Sequence, residues 1–338
     1  MCWASWIERA YDLLADMSLA STLNLFYASL AVSLPTFGWV ALGVALNAFG
    51  ILPQWLNDKI ALLAFRFGLP LMLFAGAAQV DYSALGAARY LLAGVIATLV
   101  VFAGSWLYTR WRGHPKLEQG IFVQAAFRSN LAIVGMALTL SAYGERGPEL
   151  AALPVALMTV LYNILAVWVL DSTLGNSTKL ANVFRGILLN PLVIGVMAGV
   201  CLAVSPMPVP AAMRPAGVVL SGFFLPLVLI CIGGSMRFSR LYRAGPLTWE
   251  ASAWRLVLAP VAGVLLALSL GVRDEHLGVL FLLLATPVAA SSHVMVAAAR
   301  GDSTLAANII VLTTLLSLVT ITAGFFTLAY FSMVGELQ

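Results

Sequence analysis

The sequence predicts an all-α membrane protein: ten transmembrane helices arranged as two inverted five-helix repeats, with crossed, broken helices in spans four and nine. Three observations lead there. Of 338 residues, 62% are apolar and 9% charged, with a mean hydropathy of +0.98, values that no water-soluble domain of this size sustains. The few charges punctuate apolar runs long enough to cross about 30 Å of hydrocarbon. Finally, Phe67-Gly-Leu-Pro70-Leu-Met-Leu returns as Phe223-Phe-Leu-Pro226-Leu-Val-Leu 156 residues later, and Pro35 and Pro191 repeat that offset. A β-barrel would instead show alternating segments of about ten residues.

Residues 1–22 form neither a span nor a secretory signal, since they lack a basic start and carry Glu8, Arg9, Asp12 and Asp16. Trp3, Trp6, Ile7, Ala10 and Leu14 fall on one helical face, which predicts an amphipathic helix lying in the membrane interface. Span one lies between Asp16 and Asp58. Span two, within 60–80, is interrupted by Arg66, which snorkels to the surface near Lys59. Span three lies between Arg89 and Arg110, span four within 119–144 around Arg128, and span five between Glu149 and Asp171. These make a first repeat over 23–172, followed by a polar cytoplasmic linker over 173–185.

The second repeat, 186–331, places spans six to ten between Arg185 and Arg214, Arg214 and Arg237, Arg255 and Arg273, Glu275 and Arg300, and Asp302 and Glu336. Arg255 is read as the counterpart of Arg89, each preceding a long apolar span. Tyr143-Gly144-Glu145 likewise parallels Arg300-Gly301-Asp302. Five spans per half is an odd number, so the halves insert in opposite senses, an arrangement typical of alternating-access carriers.

Lys and Arg set the orientation. Arg9, Arg89, Arg146, Arg214 and Arg273 fall on the side of the termini. Lys59, Arg110, Arg112, Lys116, Lys179, Arg185, Arg237, Arg240, Arg243, Arg255 and Arg300 fall on the other. Eleven against five predicts an inner-membrane protein with both termini outside. The net charge of +4 follows from this bias, and no basic, aromatic-rich segment suggests a nucleic-acid partner. Cys2, Cys201 and Cys231 are an odd set without a disulfide framework, and read as packing residues.

Polar residues collect at mid-depth in spans four and nine: Arg128, Ser129 and Asn130 in one, Thr286, Pro287, Ser291, Ser292 and His293 in the other. Arg128 lies ten residues beyond Glu118, about 15 Å along a helix, with no acid deep in a predicted span to pair with it, and an intramembrane arginine of that kind is a functional candidate. Pro287 cannot donate to the Leu283 carbonyl, which is then free at a depth where free backbone survives only beside a cavity. Helix N-termini meeting there would favour an anion, and the expected cargo is a small carboxylate. Asn130, Thr286, Ser291 and Ser292 would add neutral hydrogen bonds, although Asn130 also fits as interhelical glue and the serines as donors to their own helix. His293 reads as a packing histidine or a coupling group. Asn163, Gln79 and Ser235 carry weaker signals.

These residues resemble the auxin efflux carrier family, in which bacterial members are proposed to carry malonate and similar acids. The likeness runs from about 23 to 331. It is carried by Arg128-x-Asn130 with Gly135 five residues on, Ala285-x-Pro287, and Gly301-Asp302 with Leu305-Ala306-Ala307. In proteins it looks like, both fourth spans break at a proline. This chain has Ala137 in the first of those positions, so span four breaks at Gly135 or merely bends. The resemblance implies an elevator-like carrier with a scaffold within 23–80 and 186–236 and moving spans within 88–172 and 250–331. It also implies a homodimer in the bilayer and a carboxylate held near Asn130, Gly135 and the Pro287 segment.

Other functions fit less well. A sodium/proton antiporter on a related fold needs buried carboxylates, and all fourteen Asp and Glu lie in the tail, loops or span ends. A sodium-coupled anion symporter of the bile-acid type, holding its ion with carbonyl, Asn, Ser or Thr oxygens, remains the runner-up. An intramembrane enzyme is disfavoured because His114, His276 and His293 are scattered and no His-Glu-x-x-His or Gly-x-Gly-Asp motif occurs. No cofactor or metal site is expected. A channel or receptor is disfavoured too, for want of a charged ring or an attached soluble domain.

Overall fold

In the computed structural model, residues 19–79, 86–174, 188–206, 212–236 and 245–335 are described, and every regular element among them is a helix. Of the interfacial helix expected over 1–22 and the linker expected over 173–185, residues 1–18 and 175–185 lie outside the described residues, as does Cys2, while 19–22 belong to the first helix and 173–174 to the helix that ends at Leu174. The helices are α1 (Leu19–Ala48), α2 (Gln54–Ala77), α3 (Gly86–Trp111), α4 (Lys116–Phe127), α5 (Leu131–Tyr143) and α6 (Arg146–Leu174), then α7 (Pro191–Val204), α8 (Met213–Gly234), α9 (Pro246–Ser269), α10 (Asp274–Ala285), α11 (Ser291–Ala298) and α12 (Ser303–Tyr330). Seven of them, α1, α2, α3, α6, α8, α9 and α12, are long and apolar enough to cross a membrane. Apolar side chains cover much of the outer surface, Phe49, Leu107, Trp111, Leu265 and Val319 among them, as a lipid solvent requires.

Small residues set the closest helix approaches, because apolar helices in lipid gain from tight van der Waals contact rather than from exclusion of water. α1 packs along α8 and α7 along α2. A methyl at Gly43 would collide with the Ile230 carbonyl, and one at Gly199 with the Phe74 carbonyl. Residues 43 and 199 are 156 apart, and so are 74 and 230, so the contact recurs with partners exchanged at the spacing of the repeated prolines.

Prolines explain two widened turns. Pro70 and Pro260 lack an N–H, and their rings press on the carbonyl four residues back. Immediately upstream, Ala64–Gly68 and Trp254–Leu258 each open into a π-type turn. The second carries Arg255, and here the structure corrects the sequence. α9 starts at Pro246, nine residues before Arg255, so this arginine is not a loop charge and has no positional likeness to Arg89. It lies about 14 Å along the helix and is fully buried. The charge count behind the expected orientation becomes ten against five, which leaves its sign unchanged.

Charged pairs tie down the ends of this region. Glu250 near the start of α9 accepts from Arg112 at 3.1 Å and from Tyr108 at 3.1 Å, and meets His114 at 3.0 Å. At the opposite end Arg146 pairs with Glu275 at 2.9 Å, joining the start of α6 to the start of α10.

Candidate functional site

α4 and α5 occupy the interval of span four, α10 and α11 that of span nine, and each pair is separated by a short extended break. Arg128 (φ −84°, ψ 88°) and Asn130 (φ −83°, ψ 66°) leave helical geometry, and Thr286 (φ −62°, ψ 155°) does so in the other pair. The break in the first pair therefore lies ahead of both Gly135 and Ala137. It needs no proline, because its backbone groups find partners in the other break. The Asn130 N–H donates to Pro287 O at 2.9 Å and the Ala289 N–H to Arg128 O at 3.1 Å, an antiparallel bridge between Ser129 and Val288. Buried backbone so paired costs little.

Neighbouring helices brace the crossing. Thr313 of α12 accepts the Val288 N–H at 3.2 Å, and the Tyr162 and Ser129 hydroxyls share a 2.7 Å bond. Gly135 donates to Asn130 O at 3.0 Å, closing a wide first turn of α5. A side chain at Gly135 would meet Leu283 at 2.7 Å, so the glycine permits the close approach of α5 and α10. The Leu283 carbonyl, expected to be free, is not: Thr286 Oγ1 donates to it at 3.0 Å. Losing the proline's N–H is thus repaired by the preceding side chain.

The geometry separates the helix ends by sign. α4 and α10 bring their C-terminal carbonyls to the crossing, and α5 and α11 begin there; in α11 the Ser292 and His293 N–H groups donate to Ala289 O at 2.9 Å and Ala290 O at 3.3 Å, while helix starts remain the positive dipole ends. Arg255 takes the carbonyls: it donates to Ala126 O at 3.2 Å, to Phe127 O at 2.8 Å and to Leu284 O. Sequence reasoning missed this role, because Glu250 beside it made 246–255 read as a charged span end.

Arg128 takes the opposite side. Its Nη2 donates to Asn163 Oδ1 at 2.9 Å and to Ser291 Oγ at 3.2 Å, while Nε and Nη1 are buried with no acceptor. No Asp or Glu pairs with Arg128 or Arg255 among the described residues. Asn163, a weak signal in the sequence, is thus a direct partner of Arg128. Ser291 is the first residue of α11, so a guanidinium sits against the positive end of a helix dipole, an arrangement that an anion would relieve. Ser292 is buried and its Oγ has no partner. The Asn130 side chain makes no cap hydrogen bond. His293 is half-buried in the first turn of α11.

The structure therefore brings Arg128, Asn130, Pro287, Ser291 and Ser292 to one crossing. Gly135 and Thr286 support the backbone there. Among the described residues, no cluster of His, Cys, Asp and Glu could hold a metal; Cys201 and Cys231 are free thiols. A family model described as "Membrane transport protein" matches residues 31–324. No curated protein matches the chain.

Proposed function

The chain belongs to the membrane transport protein family, the auxin efflux carrier family, and from that premise we propose that this multi-pass membrane transporter moves a small carboxylate or dicarboxylate by an elevator-like mechanism. One observation carries the choice of cargo: Arg128 is buried beside the start of α11 with two guanidinium nitrogens, Nε and Nη1, lacking acceptors. A desolvated cation in that position gains most from an anion that accepts from it directly. Ser292 Oγ and the first amides of α5 would complete the cradle, with the Asn130 amide alongside, the positive end of α11 facing it and His293 as a coupling group.

In this reading ten spans form two inverted repeats, α4 with α5 and α10 with α11 being the two broken ones. The exchanged contacts of Gly43 with Ile230 and Gly199 with Phe74 support that pairing. α1, α2, α7 and α8 would form the scaffold and the remaining helices the moving part. Both termini would be outside the inner membrane, and two copies would pair through the scaffold. Purified protein titrated with mono- and dicarboxylates, followed by uptake of the best binder into proteoliposomes, tests the proposal. Saturable uptake of a carboxylate that also raises Tm supports it, and indifference to every acid in the panel overturns it.

A further inference from the structure

The crossing presents a cluster of carbonyl oxygens as well as a cluster of N–H groups. Ala126 O and Phe127 O end α4, and Leu284 O lies at the end of α10. In broken-helix transporters half-helix C-termini and unwound carbonyls are where a monovalent cation such as sodium is coordinated. Here the carbonyls face the guanidinium of Arg255, which is fully buried and donates to all three.

We infer that Arg255 is a tethered counter-cation: it neutralises the two converging helix C-termini permanently, so the crossing is complete without a dissolved sodium ion. The chemistry is that of a cation at the negative end of a helix dipole, doubled because two helices end together. A guanidinium suits the task better than an ammonium, since its planar donors reach carbonyls from two separate helices at once. Its position follows from the π-type turn Trp254–Leu258, set by Pro260 in the next turn. Arg128 and Arg255 then divide the work, Arg255 holding the carbonyls and Arg128 remaining available to an anion. Arg255 is a positioning residue, acting through the ends of α4 and α10. The runner-up, sodium-coupled transport, loses its natural ion site to this side chain.

The experiment reads Tm of purified protein at constant ionic strength in choline, sodium or millimolar guanidinium chloride, with no substrate present. Wild type should give the same Tm in all three. Arg255→Met, which keeps the bulk and removes the charge, should lose stability, and Arg255→Ala should regain about 2 °C or more on adding guanidinium or sodium. Arg255→Lys should fall between wild type and Arg255→Met. A wild-type Tm that rises with sodium overturns the inference, as does an Arg255→Met protein as stable as wild type. So does an Arg255→Ala protein that no cation stabilises. If Arg255→Ala yields no folded protein, the wild-type ion series and Arg255→Lys decide by the same criteria. The inference extends the transport reading only in predicting sodium-independent uptake. Because the Tm series contains no substrate, its failure is distinct from a failure to find a transported carboxylate.

Discussion

The backbone N–H of Asn130 donates to the carbonyl of Pro287 at 2.9 Å, joining two chain breaks 157 residues apart in sequence. Each break supplies the hydrogen-bond partners that the other lost on leaving the helix. The amino ends of α5 and α11 are thereby held at one place, and Arg128 is held beside them.

Replacing Arg128 by Ala should weaken carboxylate affinity by roughly 30-fold or more, the equivalent of about 2 kcal/mol, and abolish measurable uptake. The fold should persist, because the change removes a buried cation that no carboxylate balances. Arg128→Lys should restore little, since an ammonium cannot reach Asn163, Ser291 and an anion in the same geometry. Calorimetric titration of the best-binding acid checks both variants, and unchanged affinity in Arg128→Ala would remove this residue from the site.

Asn163→Asp should set a carboxylate where the amide oxygen now stands, 2.9 Å from Arg128 Nη2. The new ion pair would compete with the cargo. Affinity should fall by about tenfold or more, corresponding to ~1.4 kcal/mol, while Tm stays level or rises. Asn163→Leu, which frees the guanidinium without neutralising it, should bind better than Asn163→Asp. The reverse order would refute competition.

Ser292→Ala separates binding from stability. Its hydroxyl oxygen is buried with no partner, so deleting it should leave Tm unchanged or slightly higher. If the hydroxyl donates to the bound anion, affinity should drop by about tenfold, as the loss of a hydrogen bond to a charged group implies. A drop in Tm with unchanged affinity would assign Ser292 a packing role instead.

Gly135→Ala tests the close approach of α5 to α10. The added methyl would meet the fully buried Leu283 at 2.7 Å, and overpacking of this kind costs about 1–3 kcal/mol. Tm should fall by about 1–2 °C per kcal/mol in a chain of this length. Adding Leu283→Ala to the same chain should return part of the loss, a non-additivity expected of residues in contact.

Several features were legible in one dimension. Hydropathy marked the membrane class, because a lipid solvent demands long apolar helices whatever their packing. Charge-free runs located the α1, α3, α6, α8 and α12 segments, and depth along a helix singled out Arg128. Pro287, read from its missing N–H as an interruption of span nine, lies in the break between α10 and α11. The 156-residue offset of the prolines reappears in the contacts of Gly43 and Gly199.

What only the tertiary structure decided was where each polar group finds its partner. Arg255 read as a loop charge because an arginine ordinarily ends an apolar span. It is instead stabilised inside the protein by carbonyls of residues 126, 127 and 284, none of them near it in sequence. The break of span four was expected at Gly135 or as a mere bend; its place at Arg128–Asn130 could not be read locally, since the groups that compensate it belong to Pro287 and Ala289. Asn163 gained its role in the same way, by reaching Arg128 from another helix. Apolar burial follows the local pattern of a chain, whereas satisfying a buried charge or a broken helix depends on groups that meet only when the chain is folded.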